Sequence, residues 1–438
     1  MTPSRERAST ALLTDRYELT MLDAAMLSGT HERDCVFEVF ARSLPGGRRY
    51  GVVAGTGRLL ELIERFRFED EELTWLRDNR VVRDETLDWL ADYRFNGTIR
   101  GYREGELYFP GSPVLVVDAP FGEGVLLETL VLSVLNHDSA IAGAAARMVS
   151  AAAGRPLAEM GSRRAHEQAA VAAARAAYIA GFGATSNLEA GRTWGIPTMG
   201  TAAHAFTLLH DSEEDAFRAQ VRTLGPQTTL LVDTYDVHKA IETAVRVAGT
   251  ELGAVRLDSG DLPVLVASVR AQLDALGATK TRITVTNDLD EFAIAALRAS
   301  PVDSYGVGTS LVTGSGAPTA GMVYKLVARK DETGSWIPVA KASTGKASIG
   351  GRKVPVRGFD RVGVASAEEI HIVQGREALP KGRPLHVSLM TGGVADDRHL
   401  GAQGVEAARR HHAIAREELP ESAFRLGRGE PALPTEYV

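Results

Sequence analysis

Cysteine is almost missing from this sequence of 438 residues, since Cys35 is the only one. A single cysteine can form neither an internal disulfide bond nor a zinc site built from several thiolates. The residues that follow it, Val36 to Phe40, are mostly apolar. This setting indicates a core position for Cys35 and argues against a role as nucleophile.

An excess of positive charge is also lacking, because 49 Lys and Arg face 56 Asp and Glu, a formal net charge of −7. A surface that follows a nucleic-acid backbone needs surplus Lys and Arg. The start of the chain lacks the apolar core of a signal peptide, and no uninterrupted apolar run approaches the roughly 20 residues that a membrane span requires. We therefore expect a cytoplasmic protein that binds neither nucleic acid nor membrane.

Complete nucleotide-binding fingerprints are absent as well. Gly306-Val307-Gly308 lacks the third glycine of a dinucleotide loop, and no Gly-x-x-x-x-Gly-Lys-Ser/Thr loop occurs. The turn that ends in Thr309 still offers unhindered backbone N–H groups at a helix start, which suits one phosphate monoester. Taken singly, these residues are better interpreted as an ordinary turn between a strand and a helix.

Regular strand–helix units fill the middle of the chain. Short apolar runs reach polar residues near positions 233, 258, 287 and 308, and helical patterns lie between them. This alternation is typical of parallel βαβ units, in which ligands bind beyond the carboxyl ends of the strands. A doubly wound sheet would also fit. We predict an α/β protein with a barrel, because the units are numerous and their acidic residues would converge.

The flanking parts of the chain differ from this regular region. Residues 1–120 predict a mixed α and β segment, and its first helix carries Tyr17 in the first turn. Residues 121–318 form the predicted barrel domain. Residues 319–438 return to strand-like patterns, and we expect them to pack on the N-terminal segment as one discontinuous domain.

The segment Gly195–Phe206 contains the histidine of most interest. An apolar run, Ile196–Met199, predicts a buried strand that is followed by small residues and then by His204. The imidazole would lie at the carboxyl edge of a sheet, or else it would merely begin the following helix. Acidic residues at matching places, Asp233 and Asp258, favour the first interpretation.

Asp258-Ser259-Gly260-Asp261 places two carboxylates beyond a strand, with Arg256 two positions earlier on the same strand face. Paired carboxylates can hold a sugar diol or Mg²⁺, and an adjacent guanidinium can hold a phosphate. A purely structural ion pair is the alternative interpretation.

Motifs in this order along residues 12 to about 325 carry a family resemblance: L-L-T-D-R-Y-E-L-T-M, G-S-R-R-A-H-E, G-A-T-S-N, G-T-A-A-H-A-F, L-L-V-D-T-Y-D, V-R-L-D-S-G-D and Y-G-V-G-T. Together they resemble nicotinate phosphoribosyltransferase of the actinobacterial type. The resemblance implies an irregular α/β barrel with a second α/β domain, working as a head-to-tail homodimer. It implies that nicotinate and phosphoribosyl diphosphate give nicotinate mononucleotide and pyrophosphate, coupled to ATP hydrolysis and with Mg²⁺, in NAD salvage.

The resemblance also implies roles for the strand-end residues. His204 matches the histidine that ATP phosphorylates, and Asp233 resembles the carboxylate that orients its ring. Arg256 and Asp258 would take phosphoribosyl diphosphate, with Asp258 favouring the cationic sugar formed as pyrophosphate leaves. A glycine turn would hold the ribose phosphate through Gly306, Gly308 and Thr309.

The base would be held by further residues that the resemblance implies. Tyr17 resembles a tyrosine that reaches from the partner subunit to stack on the pyridine ring. Arg163 would lie near a substrate phosphate or carboxylate. Weaker candidates for contacts with the substrate carboxylate are Thr185, Ser186 and Asn187.

One departure concerns Met160, which stands where the wider superfamily has an aromatic residue. A thioether can still pack on a ring.

The nearest alternative function is that of a nicotinamide-using relative, which the motif Thr185–Asn187 does not exclude. A barrel aldolase or epimerase would need a Schiff-base lysine or a metal-binding His pair at the strand ends, and a non-enzymatic binding module would make His204 and Asp258 dispensable. The Mg²⁺ ligands are not predicted.

Overall fold

The largest sheets in two parts of this chain differ in strand pairing: one is wholly antiparallel and the other wholly parallel. The computed structural model describes residues 8–341, 348–373 and 381–438. The first compact unit contains Met1–Ala142 and Ala317–Val438, and the second contains Gly143–Gly316. For comparison, the boundaries predicted from the sequence lie at 120/121 and 318/319.

The strands of both units are short to medium in length. In chain order they are β1 Asp34–Ala41, β2 Gly51–Val52, β3 Thr98–Tyr102, β4 Leu107–Tyr108, β5 Leu115–Pro120, β6 Leu157–Glu159, β7 Ala184–Thr185, β8 Thr229–Leu231, β9 Ala254–Leu257, β10 Arg282–Val285, β11 Ser304–Val307, β12 Met322–Lys330, β13 Trp336–Pro338, β14 Arg352–Phe359, β15 Ala365–Val373, β16 Arg383–Pro384, β17 His386–Thr391, β18 Val394–Ala395 and β19 Thr435–Tyr437.

The α-helices are α1 Arg16–Leu27, α2 Thr56–Ile63, α3 Asp70–Asp78, α4 Asp84–Asp92, α5 Phe121–Val125, α6 Glu128–Ala152, α7 Glu167–Ile179, α8 Leu188–Trp194, α9 His204–Leu209, α10 Glu213–Leu224, α11 Val237–Ala248, α12 Leu262–Ala275, α13 Glu291–Ala296, α14 Thr309–Val312 and α15 Gly401–Glu417. Short 3₁₀ helices cover Pro45–Gly47, Leu297–Ala299, Asp397–His399 and Glu421–Phe424.

The first unit is built on a seven-stranded sheet of order β13-β12-β1-β5-β3-β17-β18, in which every pair of neighbours is antiparallel. β1 pairs with β12, and β3 pairs with β17, so segments from both ends of the sequence share this sheet. Its apolar core includes Phe37, Val117 and Leu130. A four-stranded sheet, β16-β14-β15-β19, and the pair β2-β4 complete the unit.

The second unit contains a six-stranded sheet of order β7-β6-β11-β10-β9-β8, and every pair is parallel. Its strands are short apolar runs, such as Ile283 and Val285 in β10, because parallel strands are covered on both faces. The sheet curls into a half-barrel, which confirms the predicted α/β class and irregular barrel. Ile196–Met199, predicted as a strand, contributes only one parallel bridge, between Thr198 and Thr185.

Several helices of the second unit begin with a side chain that accepts a hydrogen bond from a backbone N–H group. The capping residues are His166, Asn187, Ser212, Asp236 and Asp290. Such caps satisfy N–H groups that a helix leaves unpaired in its first turn. Asp236 and Asp290 therefore have a structural role at strand ends, and Asp233 and Asp258 are left as the candidates for chemistry.

One helical stretch among the described residues, Phe121–Ala152, is long and apolar enough to cross a membrane by length and composition alone. Within its most apolar window, 67% of the residues are buried inside the protein. Buried core helices of soluble proteins pass the same test, so this stretch is weak evidence for a membrane span.

Candidate active site

The carboxyl ends of the six parallel strands bring together residues that are far apart in the sequence. Asp233 lies two residues after β8, Asp258 follows β9 directly, and Thr286 follows β10. Glu159 ends β6, and Gly308 follows β11. Because parallel strands all end at the same edge of a sheet, these side chains share one rim.

His204 and Asp233 form the first contact at this rim. The Nε2 atom of His204 lies 3.8 Å from Oδ1 of Asp233, and the Nδ1 atom of His204 lies 3.1 Å from Oγ1 of Thr234. The imidazole is 42% exposed, whereas the Asp233 side chain is only 2% exposed. A reagent can therefore reach the ring from solvent while its acidic neighbour is held inside the unit.

Asp233 uses only one of its two carboxylate oxygens within the described part of the chain. Its Oδ2 accepts the backbone N–H of Asp258 at 2.9 Å and the hydroxyl of Ser259 at 2.8 Å. Its Oδ1 is buried and has no hydrogen-bond partner among the described residues. An unpaired buried oxygen costs folding free energy. The His204 Nε2 atom lies 3.8 Å from this oxygen, and a hydrogen on that nitrogen would be directed at it.

Arg256 and Asp258 lie beside this pair and share a hydroxyl. The Arg256 guanidinium donates to Thr286 at 3.0 Å and to Thr201 at 2.9 Å, and its Nη2 lies 3.5 Å from Oδ1 of Asp258. The Thr286 hydroxyl also donates to Oδ1 of Asp258. Asp258 is about one-third exposed, and its Oδ2 has no hydrogen-bond partner in the described ranges. That oxygen is the acidic acceptor that the rim offers to a ligand.

The end of β11, which contains Gly306, is closely packed, and the turn with Gly308 and Thr309 follows it. A Cβ atom at Gly306 would lie 2.6 Å from the Met160 sulfur and 2.7 Å from Cγ2 of Thr286, so a larger residue does not fit. The backbone N–H of Met160 donates to the Val307 carbonyl at 2.8 Å. Thr309 begins α14 and is exposed. The turn therefore presents backbone next to the Met160 side chain.

Thr185 is hydrogen-bonded to Glu159, a residue that the sequence patterns did not single out, and Asn187 is linked to Glu159 through Thr185. The Thr185 hydroxyl is fully buried and donates to Glu159 at 2.5 Å, while it accepts the Asn187 N–H at 2.9 Å. Ser186 and Asn187 are partly exposed. Burial raises the pKa of Glu159 above its usual range, and the bonds from Thr185 and Gly161 oppose that shift. A glutamate just before the Met160-Gly161 turn was the only signal in the sequence.

Two of the candidate substrate-binding residues, Tyr17 and Arg163, do not belong to the cluster around His204, Asp233 and Asp258. Tyr17 lies in α1 of the first unit and is 44% exposed. Partial burial, with the charges of Glu128 and Glu18, raises the pKa of its phenol to about 12. Arg163 belongs to the second unit and is exposed. Both side chains are therefore accessible, as contacts with a ligand or a second subunit require.

The described residues at this rim do not provide a complete set of protein ligands for a metal ion. No group of three or more His, Cys, Asp and Glu residues that could hold a metal occurs among the described residues. Mg²⁺ is often bound by one or two carboxylates together with substrate phosphates. Asp258 fits that limited role, because its Oδ2 is available at the rim.

Comparison with known proteins gives a consistent result along the whole chain. Residues 12–136 match the model of the nicotinate phosphoribosyltransferase (NAPRTase) N-terminal domain. The chain is 57% identical to nicotinate phosphoribosyltransferase pncB1 of Mycobacterium tuberculosis, over 98% of this chain and 95% of that protein. It is 39% identical to nicotinate phosphoribosyltransferase of Bacillus subtilis, over 79% of this chain and 72% of that protein.

A solved structure shares the fold. The crystal structure of human nicotinic acid phosphoribosyltransferase superimposes with a TM-score of 0.82 at 24% identity, and the match covers 97% of each chain. The extent and level of identity to the bacterial relatives exceed what a shared fold alone would give. The chain therefore belongs to the nicotinate phosphoribosyltransferase family.

Proposed function

We propose that this protein joins nicotinate to phosphoribosyl diphosphate, giving nicotinate mononucleotide and pyrophosphate, and couples this reaction to ATP hydrolysis. The observation that carries the proposal is the cluster of His204, Asp233 and Asp258 at one sheet edge, in a chain 57% identical to a nicotinate phosphoribosyltransferase over nearly its full length. The reaction would serve NAD salvage in the cytoplasm.

The transfer step needs a residue that stabilises positive charge on the sugar. The pyridine nitrogen of nicotinate attacks C1 of the ribose and forms the C–N bond. The bond from C1 to the diphosphate oxygen breaks, and its electron pair leaves with pyrophosphate. Asp258 suits this step, because a fixed carboxylate stabilises the cationic sugar as it develops. Mg²⁺, when bound, would neutralise the departing pyrophosphate.

The phosphate groups of phosphoribosyl diphosphate need hydrogen-bond donors, which carboxylates do not supply. Arg256 is oriented by Thr201 and Thr286, which leaves its guanidinium prepared for a phosphate oxygen or for stacking on the base. Backbone N–H groups of the turn with Gly306, Gly308 and Thr309 suit the phosphate of the ribose. The glycine at position 306 lets the Met160 side chain lie directly against the end of β11, next to this turn.

ATP would act through His204. A ring nitrogen attacks the γ-phosphorus of ATP, a P–N bond forms, and ADP leaves with the electrons of the broken P–O bond. With hydrogen on Nε2, directed at Asp233, the nitrogen with a free electron pair is Nδ1, beside Thr234. Water then takes the phosphoryl group from the phosphohistidine and gives inorganic phosphate.

The base site would use residues of two subunits in a head-to-tail homodimer. The partner subunit's Tyr17 would stack on the pyridine ring, opposite the Met160 thioether. Arg163, Ser186 and Asn187 would contact the substrate carboxylate, while Thr185, which is fully buried, would support them. The exposure of Tyr17 in the first turn of α1 supports this arrangement.

A three-substrate assay tests the proposal. Purified protein would be incubated with phosphoribosyl diphosphate, Mg²⁺ and ATP, and with nicotinate, nicotinamide or quinolinate. We expect nicotinate mononucleotide and pyrophosphate in equal amounts, and little product from the other bases. ATP should lower the KM for both substrates. Preferential use of nicotinamide, or no turnover of any base, would contradict the proposal.

A further inference from the structure

Glu159 has an unusual position for a charged side chain, at the end of β6, which lies between β7 and β11 in the sheet. The residue is fully buried. Its backbone pairs with Thr185 on one side and with Val307 on the other, and its carbonyl accepts the Ser186 N–H at 2.8 Å. A carboxylate buried to this degree needs hydrogen bonds that compensate for lost water.

Those hydrogen bonds form a closed ring, which we call the Glu159 ring. One carboxylate oxygen accepts the Gly161 N–H, and the other accepts the Thr185 hydroxyl at 2.5 Å. The Thr185 oxygen accepts the Asn187 N–H at 2.9 Å, and the Asn187 amide donates to the Ser162 hydroxyl at 3.0 Å. Ser162 follows Gly161 in the sequence, and this connection closes the ring.

The ring adds side-chain bonds between two segments at the ends of the paired strands β6 and β7, where the backbone ladder stops. The first, 160–163, carries Arg163, and the second, 185–187, carries Ser186 and Asn187. The first segment also packs tightly, because a Cβ at Gly161 would lie 2.2 Å from Cγ1 of Val312 and 3.1 Å from the Gly308 carbonyl oxygen. A shift at Glu159 would therefore change the spacing of both segments.

An ionised carboxylate is the group that fits the centre of this ring. A backbone N–H can only donate, and the Thr185 hydroxyl, which accepts from Asn187, gives its one hydrogen to Glu159. A carboxylate accepts from both. A glutamine amide of the same size has one oxygen, which can accept from Gly161, while its NH₂ group would face the Thr185 hydroxyl. That hydroxyl would have to rotate, and its hydrogen would lose the acceptor that Glu159 provides.

We propose that Glu159 is a positioning residue that sets the geometry of the pyridine-carboxylate site by fixing segments 160–163 and 185–187 relative to each other. The inference rests on the proposed function for the identity of the ligand, and on the Glu159 ring for the geometry. Glu159 touches no reacting atom in this arrangement. Its loss should therefore act on nicotinate affinity and leave the chemistry at the ribose almost unchanged.

Glu159→Gln tests the proposal with little change in volume. We expect the KM for nicotinate to rise about tenfold, with kcat and the KM for phosphoribosyl diphosphate within about twofold of the wild type. Thr185→Val opens the ring from the other side, and it should give a similar rise. Because both changes break one ring, the double variant should be no worse than about the worse single variant.

Glu291→Gln is the matched control. Glu291 is 3% exposed, lies in the same unit and also accepts from two side chains, Arg147 and Ser315. This variant should lower thermal stability and leave the KM for nicotinate unchanged. If Glu159→Gln does not fold, Thr185→Val decides the outcome by the same criteria.

Amide hydrogen exchange supplies a readout that does not depend on turnover. In Glu159→Gln, the Gly161 and Asn187 amides should exchange faster, while the amides of α11 keep their rates. Unchanged exchange at both sites, or a fall in kcat with an unchanged KM for nicotinate, would overturn the inference. A wild-type protein that does not use nicotinate, with the exchange result intact, would overturn only the proposed function.

Discussion

Glu38 in the first compact unit and Asp233 in the second are both buried carboxylates, but their surroundings differ. In the first unit, Lys353 and Glu38 are 1% and 2% exposed, and their ammonium and carboxylate groups lie 2.6 Å apart. Lys353 also donates to the Ile349 carbonyl at 2.7 Å. In the second unit, Asp233 is equally buried, yet its Oδ1 has no hydrogen-bond partner among the described residues.

This difference distinguishes the Glu38 carboxylate, which has a structural role, from the Asp233 carboxylate, for which we propose a chemical role. A buried ion pair with both partners satisfied needs no ligand to explain it. A buried oxygen left without a partner beside an exposed imidazole costs stability, and selection keeps such a cost where it is used. The comparison predicts that substitutions at the strand ends around Asp233 change turnover and that substitutions at the Lys353–Glu38 pair change stability.

The largest effect should come from Asp258→Asn. This change keeps the shape of the side chain but removes the charge proposed to stabilise the cationic sugar. We expect kcat to fall about 10²- to 10³-fold, with melting temperature changed little. Asp274→Asn removes an exposed charge, 2.7 Å from Arg270 in α12, and serves as the control. A fall in kcat of less than about tenfold in Asp258→Asn would show that the ribose-binding site lies elsewhere.

Lys353→Met should give the opposite result. It leaves the Glu38 carboxylate buried without its partner, so the free energy of unfolding should fall by about 3 kcal/mol. The kcat of the folded enzyme should stay within about twofold of the wild type, since Lys353 belongs to no predicted site. Denaturant unfolding and steady-state kinetics on one preparation measure both quantities.

The double variant Glu38→Leu with Lys353→Met sharpens this second test. Apolar residues of similar volume often replace a buried ion pair with little loss, so most of the stability should return. If Lys353→Met instead lowered kcat strongly without unfolding the protein, the assignment of a purely structural role to the Lys353–Glu38 pair would be wrong.

The sequence alone predicted the class of the fold and the shared strand edge. It did so because parallel strands are continuous apolar runs, and their ends are marked by Asp, Asn and Gly. It placed a strand at Ile196–Met199, where the structure has one bridge. Pro197 lacks the N–H group that a longer ladder would need there.

The Glu159 ring could not be predicted from the sequence. Glu159 and Thr185 are 26 residues apart, and Leu-Ala-Glu looks like the end of any half-exposed strand. Thr286, which orients Arg256 from a position 30 residues away, was missed for the same reason. Such pairs are set by how neighbouring strands align, and local patterns do not contain that alignment.

Phosphoryl transfer from ATP to the enzyme tests the central claim most directly. The protein would be incubated with ATP labelled at the γ-phosphate, and the labelled residue would be found by peptide mapping at neutral to alkaline pH. We predict an acid-labile label on His204 in the wild type, and no label and no ATP effect on KM in His204→Ala, with slow ATP-independent turnover retained. A label on another residue, or an ATP effect that survives in His204→Ala, would contradict the account.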